Sequence, residues 1–124
     1  MKILIGVCLS KKNSKFLNKL LNSLTKLEEP NNYSSKIVFI IEKKNHIFGN
    51  KISKILKGKK IDFEILFTDK NGIPQLRNIF LKYLKNNASK YSGFLDDDCI
   101  VPIKWLKNMV KFIEKKNCDV VGGP

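Results

Sequence analysis

Three consecutive carboxylates, Asp96, Asp97 and Asp98, interrupt the segment Tyr91–Trp105, YSGFLDDDCIVPIKW. They follow an apolar, strand-like run, Gly93-Phe94-Leu95. The chain has formal net charge +13 and only 11 acidic residues, so this density of negative charge is singular. Adjacent carboxylates repel one another, and a cation between them removes the cost. At the end of a buried strand the fitting cation is a hard divalent metal, Mg²⁺ or Mn²⁺, which also grips phosphate oxygens. In an extended segment, residues i and i+2 project the same way. Asp96 and Asp98 are therefore expected to share a pole, with Asp97 turned aside. The plainer alternative is a solvated acidic turn or a helix start.

A second cluster is Gly72-Ile73-Pro74-Gln75-Leu76-Arg77-Asn78. Pro near a first helical turn is favourable because its missing N–H has no partner there. That places Arg77 by the positive end of a helix, where anions gather and a guanidinium adds directional donors. An ordinary helix start with a surface arginine accounts for the same residues.

These residues need a frame to bring them together. Ile3–Leu9 is an apolar run with little alternation, as for a strand buried on both faces. Ser14 is expected to cap a helix whose apolar face is Phe16, Leu17, Leu20, Leu21, Leu24 and Leu27. Further strands are expected at Lys36–Ile41, Phe63–Thr68 and Gly93–Leu95. A short helix should precede Gly58, another should follow Gly72, and a fourth should begin at Pro102. A fifth strand is expected over Asp119–Val121. Alternating strands and helices argue an α/β domain with a mostly parallel sheet flanked by helices. Polar clusters fall at the strand ends: Ser10-Lys11-Lys12, Glu42-Lys43-Lys44-Asn45, Asp69-Lys70-Asn71-Gly72 and the Asp triplet. Ligands of such sheets bind at those carboxyl ends.

A length of 124 residues bounds the chain to one domain, and 43% hydrophobic content is enough for a core. All but one of the 24 basic residues are lysine, Arg77 being the exception. Nucleic-acid readers lean on arginine, so the excess is read as solvated surface rather than a nucleic-acid footprint. Contact with anionic membrane lipid is a lesser alternative. Cys8, Cys99 and Cys118 have no metal-ligand spacing. An odd count without a signal segment fits a reducing cytoplasm. The lone histidine, His46, has no orienting partner in sequence, and Trp105 is read as a packing residue that could alternatively stack on a substrate.

Taken together, GIPQLRN, then FLDDDCIVPIKWL, then DVVGGP resemble the family-2 glycosyltransferases, inverting enzymes of the Rossmann-like GT-A nucleotide-sugar-binding fold. The opening ILIGVCLSKKNSKFLNKLLNSL resembles that family's first strand and helix, so the likeness spans residues 1–124. The resemblance implies metal binding by Asp98 with Asp96. It implies nucleotide-sugar contacts from Asp96, Asp97 and Arg77, and from Ser10 and Glu42 at the first two strand ends. Two departures stand out: Leu9-Ser10-Lys11 replaces the family's Pro-Thr-Tyr, and Glu42 replaces its nucleotide-contacting Asp. The implied reaction is transfer of a sugar from a nucleoside diphosphate donor to a hydroxyl acceptor, a saccharide or lipid-linked glycan. A cytoplasmic setting at the inner face of a membrane, in cell-envelope polysaccharide synthesis, goes with it. The acceptor-binding half and the catalytic base are expected to lie outside these residues. A fragment of that kind is expected to self-associate or to need a partner. A non-catalytic remnant or nucleotide-binding module is the rival reading.

Overall fold

The computed structural model describes residues 1–123. Pro124, the last residue of the DVVGGP motif, lies outside them.

The first strand, β1 (Lys2–Cys8), is covered on both sides, as its unbroken apolar run requires. Ile3, Ile5 and Val7 enter one core, while Leu4 and Cys8 enter the other. Gly6 faces the second core because a Cβ there would stand 2.7 Å from the Phe80 ring. After β1 come a 3₁₀ segment, Lys11–Phe16, and α1 (Leu17–Leu24). The helix therefore begins two residues later than Ser14 capping predicts. The 3₁₀ segment buries no residue, and the side chain of Ser10 makes no cap bond. The chain continues through β2 (Ser34–Glu42), α2 (Ile47–Leu56), β3 (Asp62–Thr68), α3 (Ile73–Asn86), β4 (Tyr91–Leu95) and α4 (Trp105–Lys116).

The four strands form one parallel sheet in the order β3-β2-β1-β4. The chain steps outward from β1 to β3, then crosses back to place β4 on the far side of β1. Crossovers of one hand put helices on opposite faces when the direction of winding reverses. Accordingly α1, α2 and α4 supply Leu20, Leu21, Ile52, Leu56, Leu106 and Val110 to the first core, whereas α3 supplies Leu76 and Phe80 to the second. The reversal lies between β1 and β4. The crevice above such a switch point is where open α/β sheets bind ligands.

Two expectations at the end of the chain are corrected. The helix after the Asp triplet starts at Trp105 rather than Pro102. Residues 102–104 make a turn closed by the Trp105 N–H donating to the Pro102 carbonyl at 2.9 Å. No strand forms over Asp119–Val121 among the described residues. Asn117 adopts a left-handed conformation (φ 49°) and turns the chain out of α4. Residues 121–123 then lie against Trp105 and Met109, off the ladder of β4, and Val120 is 85% exposed. No helix among the described residues is long and apolar enough to cross a membrane.

Candidate functional site

Above the switch point lies a cavity of about 270 Å³, lined by Cys8, Ser10, Lys12, Asn13, Ile73, Arg77, Phe94 and the Asp triplet. Each element delivers its residues for a local reason. The β1 run ends at Cys8 and releases the polar loop Ser10–Asn13. The Gly72-Ile73-Pro74 start of α3 sets Arg77 one turn into the helix. The short β4 stops at Leu95, so the triplet begins where the ladder ends.

Exposure alternates through the triplet. Asp97 is buried, at 6% exposed, whereas Asp96 and Asp98 face solvent. One Asp97 oxygen accepts the Ser10 backbone N–H at 2.8 Å, and the other accepts the Asn13 side-chain amide at 2.8 Å. The Asp96 carboxylate stands 3.6 Å from the Arg77 guanidinium, an ion pair wider than a hydrogen bond. That guanidinium also lies 5.6 Å from the centre of the Phe94 ring. Among the described residues no other cation lies within 4.0 Å of Asp96, and none lies that near Asp98.

The two neighbouring thiols are protonated at neutral pH. Burial, helped by Asp97 and Asp96 against the opposing Arg77, pushes Cys8 up to about 11. Burial, and then the field of Asp96 and Asp98, raises Cys99. The carboxylates that face solvent at the triplet, Asp96 and Asp98, offer a cation hard oxygen donors. The described residues contain no group of three or more His, Cys, Asp or Glu arranged to hold an ion. Mg²⁺ and Mn²⁺ take one or two protein carboxylates and fill the rest with water and phosphate oxygen, so the pair fits such an ion.

The structure brings Ser10, Arg77, Asp96, Asp97 and Asp98 together, but Glu42 does not line this cavity. Its Oε1 accepts the Gly72 N–H at 3.1 Å. Lys44 Nζ stands 3.1 Å from Oε2, an ion pair outside hydrogen-bonding geometry, which leaves Oε2 buried without a hydrogen-bond partner. The Gly72 N–H, and after it Lys44, holds the Glu42 carboxyl below its ordinary value of 4.5. His46 is exposed at the start of α2, away from the cavity. Trp105 packs against the first core and also lines a neighbouring groove of about 340 Å³ whose rim includes Asp96. Sequence reasoning missed Asn13 as a site residue. Its signal was an amide side chain in the loop straight after a strand end, but its partner is 84 residues away.

The sequence pattern of glycosyl transferase family 2 matches residues 6–124. The chain belongs to that family. Among solved structures, this family-2 chain is similar to S. aureus TarS. Residues 1–349 of TarS in complex with UDP-GlcNAc superpose with a TM-score of 0.66 at 20% identity, covering 100% of this chain and 37% of that one. The same TarS segment in complex with UDP gives 0.66 at 21% identity, with 38% of it covered. The longer TarS structure gives 0.66 at 21% identity, with 23% covered. At this identity the likeness carries the fold, which is the GT-A arrangement. The chain thus spans little more than a third of the TarS segment it matches. No curated protein sequence matches it.

Proposed function

We propose that these residues form the donor-binding part of an inverting, metal-dependent family-2 glycosyltransferase. The observation that carries the reading is the switch-point cavity, where two solvent-facing carboxylates, Asp96 and Asp98, sit beside Arg77 and Lys12. Carboxylates and cations held together in one crevice suit a ligand that brings both a divalent ion and phosphates. UDP-GlcNAc and UDP, with which TarS is complexed, belong to that class.

In the proposed reaction the acceptor hydroxyl oxygen attacks the anomeric carbon of the donor sugar from the face opposite the diphosphate. The new glycosidic bond forms as the bond from that carbon to the diphosphate oxygen breaks, which inverts the configuration. The hydroxyl proton passes to a base, and the nucleoside diphosphate leaves with the bond's electron pair. Asp98 with Asp96 would hold Mg²⁺ or Mn²⁺, whose chemistry there is neutralising charge on the departing diphosphate. Arg77 donates to the same oxygens as charge builds on them. Ser10 shapes the wall of the cavity. Glu42 Oε2, the buried acceptor without a hydrogen-bond partner, is offered to an N–H of the nucleotide base. Asp97 is committed to Ser10 and Asn13, so the base for the acceptor hydroxyl is proposed to come from outside these residues.

Calorimetric titration with UDP, GDP and CDP, with Mn²⁺ and then with excess EDTA, tests the reading. At least one diphosphate should bind in Mn²⁺ and lose most of its affinity on chelation. Indifference of all three to EDTA in a folded sample would overturn the metal-dependent donor site.

A further inference from the structure

The loop from Ser10 to Asn13 forms a wall of the cavity, yet little of its own chemistry holds it in place. From Lys11 on it is part of the 3₁₀ segment, which buries no side chain; the Asn13 N–H donates to the Ser10 carbonyl at 3.1 Å, and the Ser10 hydroxyl makes no cap bond. What reaches it from outside is Asp97, 6% exposed, with one oxygen on the Ser10 N–H and the other on the Asn13 amide, both at 2.8 Å. Burying a carboxylate is unfavourable unless its oxygens are hydrogen-bonded, and hydrogen bonds to a charged group are the strong ones. The bonds span 87 and 84 residues of sequence. They therefore pin the end of β1 to the end of β4 across the switch point. On that loop Lys12 lines the cavity, and among the described residues no carboxylate lies within 4.0 Å of its ammonium.

We propose that Asp97 is a positioning residue that clamps the β1–α1 loop to the end of β4 and so presents Lys12 to the donor diphosphate. The proposal rests on the donor-site reading above and adds to it a phosphate-binding cation and the carboxylate that aims it. It divides the triplet into two jobs. Asp96 and Asp98 face the ligand, and Asp97 acts only through the loop.

A clamp and a direct charge contact respond differently to Asp97→Asn. Asparagine keeps the shape. Its Oδ1 still accepts from the Ser10 N–H, and its Nδ2 donates to the Asn13 Oδ1 once that amide turns over. The clamp survives while the charge is lost. Asp97→Ala loses both. The probes are UDP and inorganic pyrophosphate, each titrated calorimetrically with Mn²⁺ into the full chain. Asp97→Ala and Lys12→Ala should each weaken binding by about 10- to 100-fold, the effect of losing one or two charged hydrogen bonds. Asp97→Asn should stay within about threefold of the parent. The double variant Asp97→Ala/Lys12→Ala should bind no more weakly than the worse single one, because both changes remove one contact. Exchange of the Ser10 amide hydrogen, read without nucleotide, should accelerate in Asp97→Ala and not in Asp97→Asn.

Equal losses in Asp97→Asn and Asp97→Ala would overturn the proposal in favour of direct charge contact. Additive losses in the double variant would overturn the link to Lys12. If Asp97→Ala does not fold, Asn13→Ala removes one bond and leaves the charge. It should still weaken both probes severalfold, and no change in their binding would contradict the clamp. If the parent binds neither probe, the donor-site reading fails. Ser10 amide exchange unaltered in Asp97→Ala would then refute the clamp on its own.

Discussion

The carboxyl edge of the sheet carries charge along its whole length, but its two halves use that charge differently. Over β2 and β3 each carboxylate at the strand end has a lysine beside it. Lys43 pairs with Asp69 at 3.2 Å, Lys44 stands 3.1 Å from Glu42, and Glu42 also holds the Gly72 N–H. Over β1 and β4 the charges stay open. Asp98 has no cation within 4.0 Å among the described residues, Asp96 has Arg77 at 3.6 Å, and Lys12 has no carboxylate at that range. A folded chain can cancel charge locally, as the β2–β3 half does. Where the β1–β4 half leaves both signs unspent inside one cavity, a ligand carrying both signs is the natural complement. The exception within that half is Asp97, which is spent on the protein itself.

The largest test of this contrast is to delete one charge from each half. Asp98→Ala should lower Mn²⁺-dependent diphosphate affinity by roughly 100-fold, the upper end of what residues supporting a metal site cost. Asp69→Ala should leave that affinity within about twofold. It should also change stability by less than about 1 kcal/mol, since the Lys43–Asp69 pair is exposed (61% and 81%) and screened by water. Comparable losses from both variants would erase the distinction between the halves.

Next in size is Gly72→Ala. Gly72 sits at φ 85° and ψ 149°, a region that only glycine enters without strain. Alanine there should cost about 1–3 kcal/mol, read as a lower urea midpoint. An unchanged midpoint would show that the β3–α3 loop can relax. Arg77→Lys should weaken diphosphate binding by about three- to tenfold, because a point charge replaces a fork of donors and the stacking on Phe94 goes with it. Full retention of affinity would remove Arg77 from the site.

The smallest effect is one of pH. The Glu42 carboxyl is held below its ordinary 4.5 in the folded protein, first by the Gly72 N–H. A depressed carboxyl contributes stability that is complete above the unfolded value and is lost as pH falls through the folded one. Thermal midpoints of the parent should therefore drop more steeply below about pH 4.5 than those of Glu42→Gln, the ordinary glutamate value marking the top of that window. Parallel curves would mean that Glu42 is not stabilised as described.

Local pattern made much of this legible in the sequence. The unalternating run of β1 announces a strand buried on both faces. Gly72-Ile73-Pro74 marks the start of α3 to the residue, because a positive φ and a helix-compatible proline stand side by side. The triplet marks the end of β4, because apolar burial cannot continue through three carboxylates. Contacts that join distant residues were not legible. Nothing near Asp97 in sequence names Ser10 or Asn13, and nothing near Glu42 names Gly72, 30 residues on. The late start of α1 goes with a contact of the same class, since the 3₁₀ segment before it is tied to the end of β4 through Ser10 and Asn13. The expected strand over Asp119–Val121 failed for a related reason. Apolar β-branched residues mark strand propensity, but a ladder needs a partner, and here residues 121–123 line a groove with α4 and pair with none of the four strands.

Diphosphate and divalent ion are proposed to meet over β1 and β4. Amide spectra of isotope-labelled protein, recorded with a nucleoside diphosphate and substoichiometric Mn²⁺, test it most directly through paramagnetic broadening. Broadening should be greatest at Asp96–Cys99 and Ser10–Asn13, should decline across β2 toward Asp69–Asn71, and should vanish with EDTA. Broadening greatest at Glu42–Asn45 or Asp69–Asn71, or spread evenly over the lysine-rich surface, would contradict it.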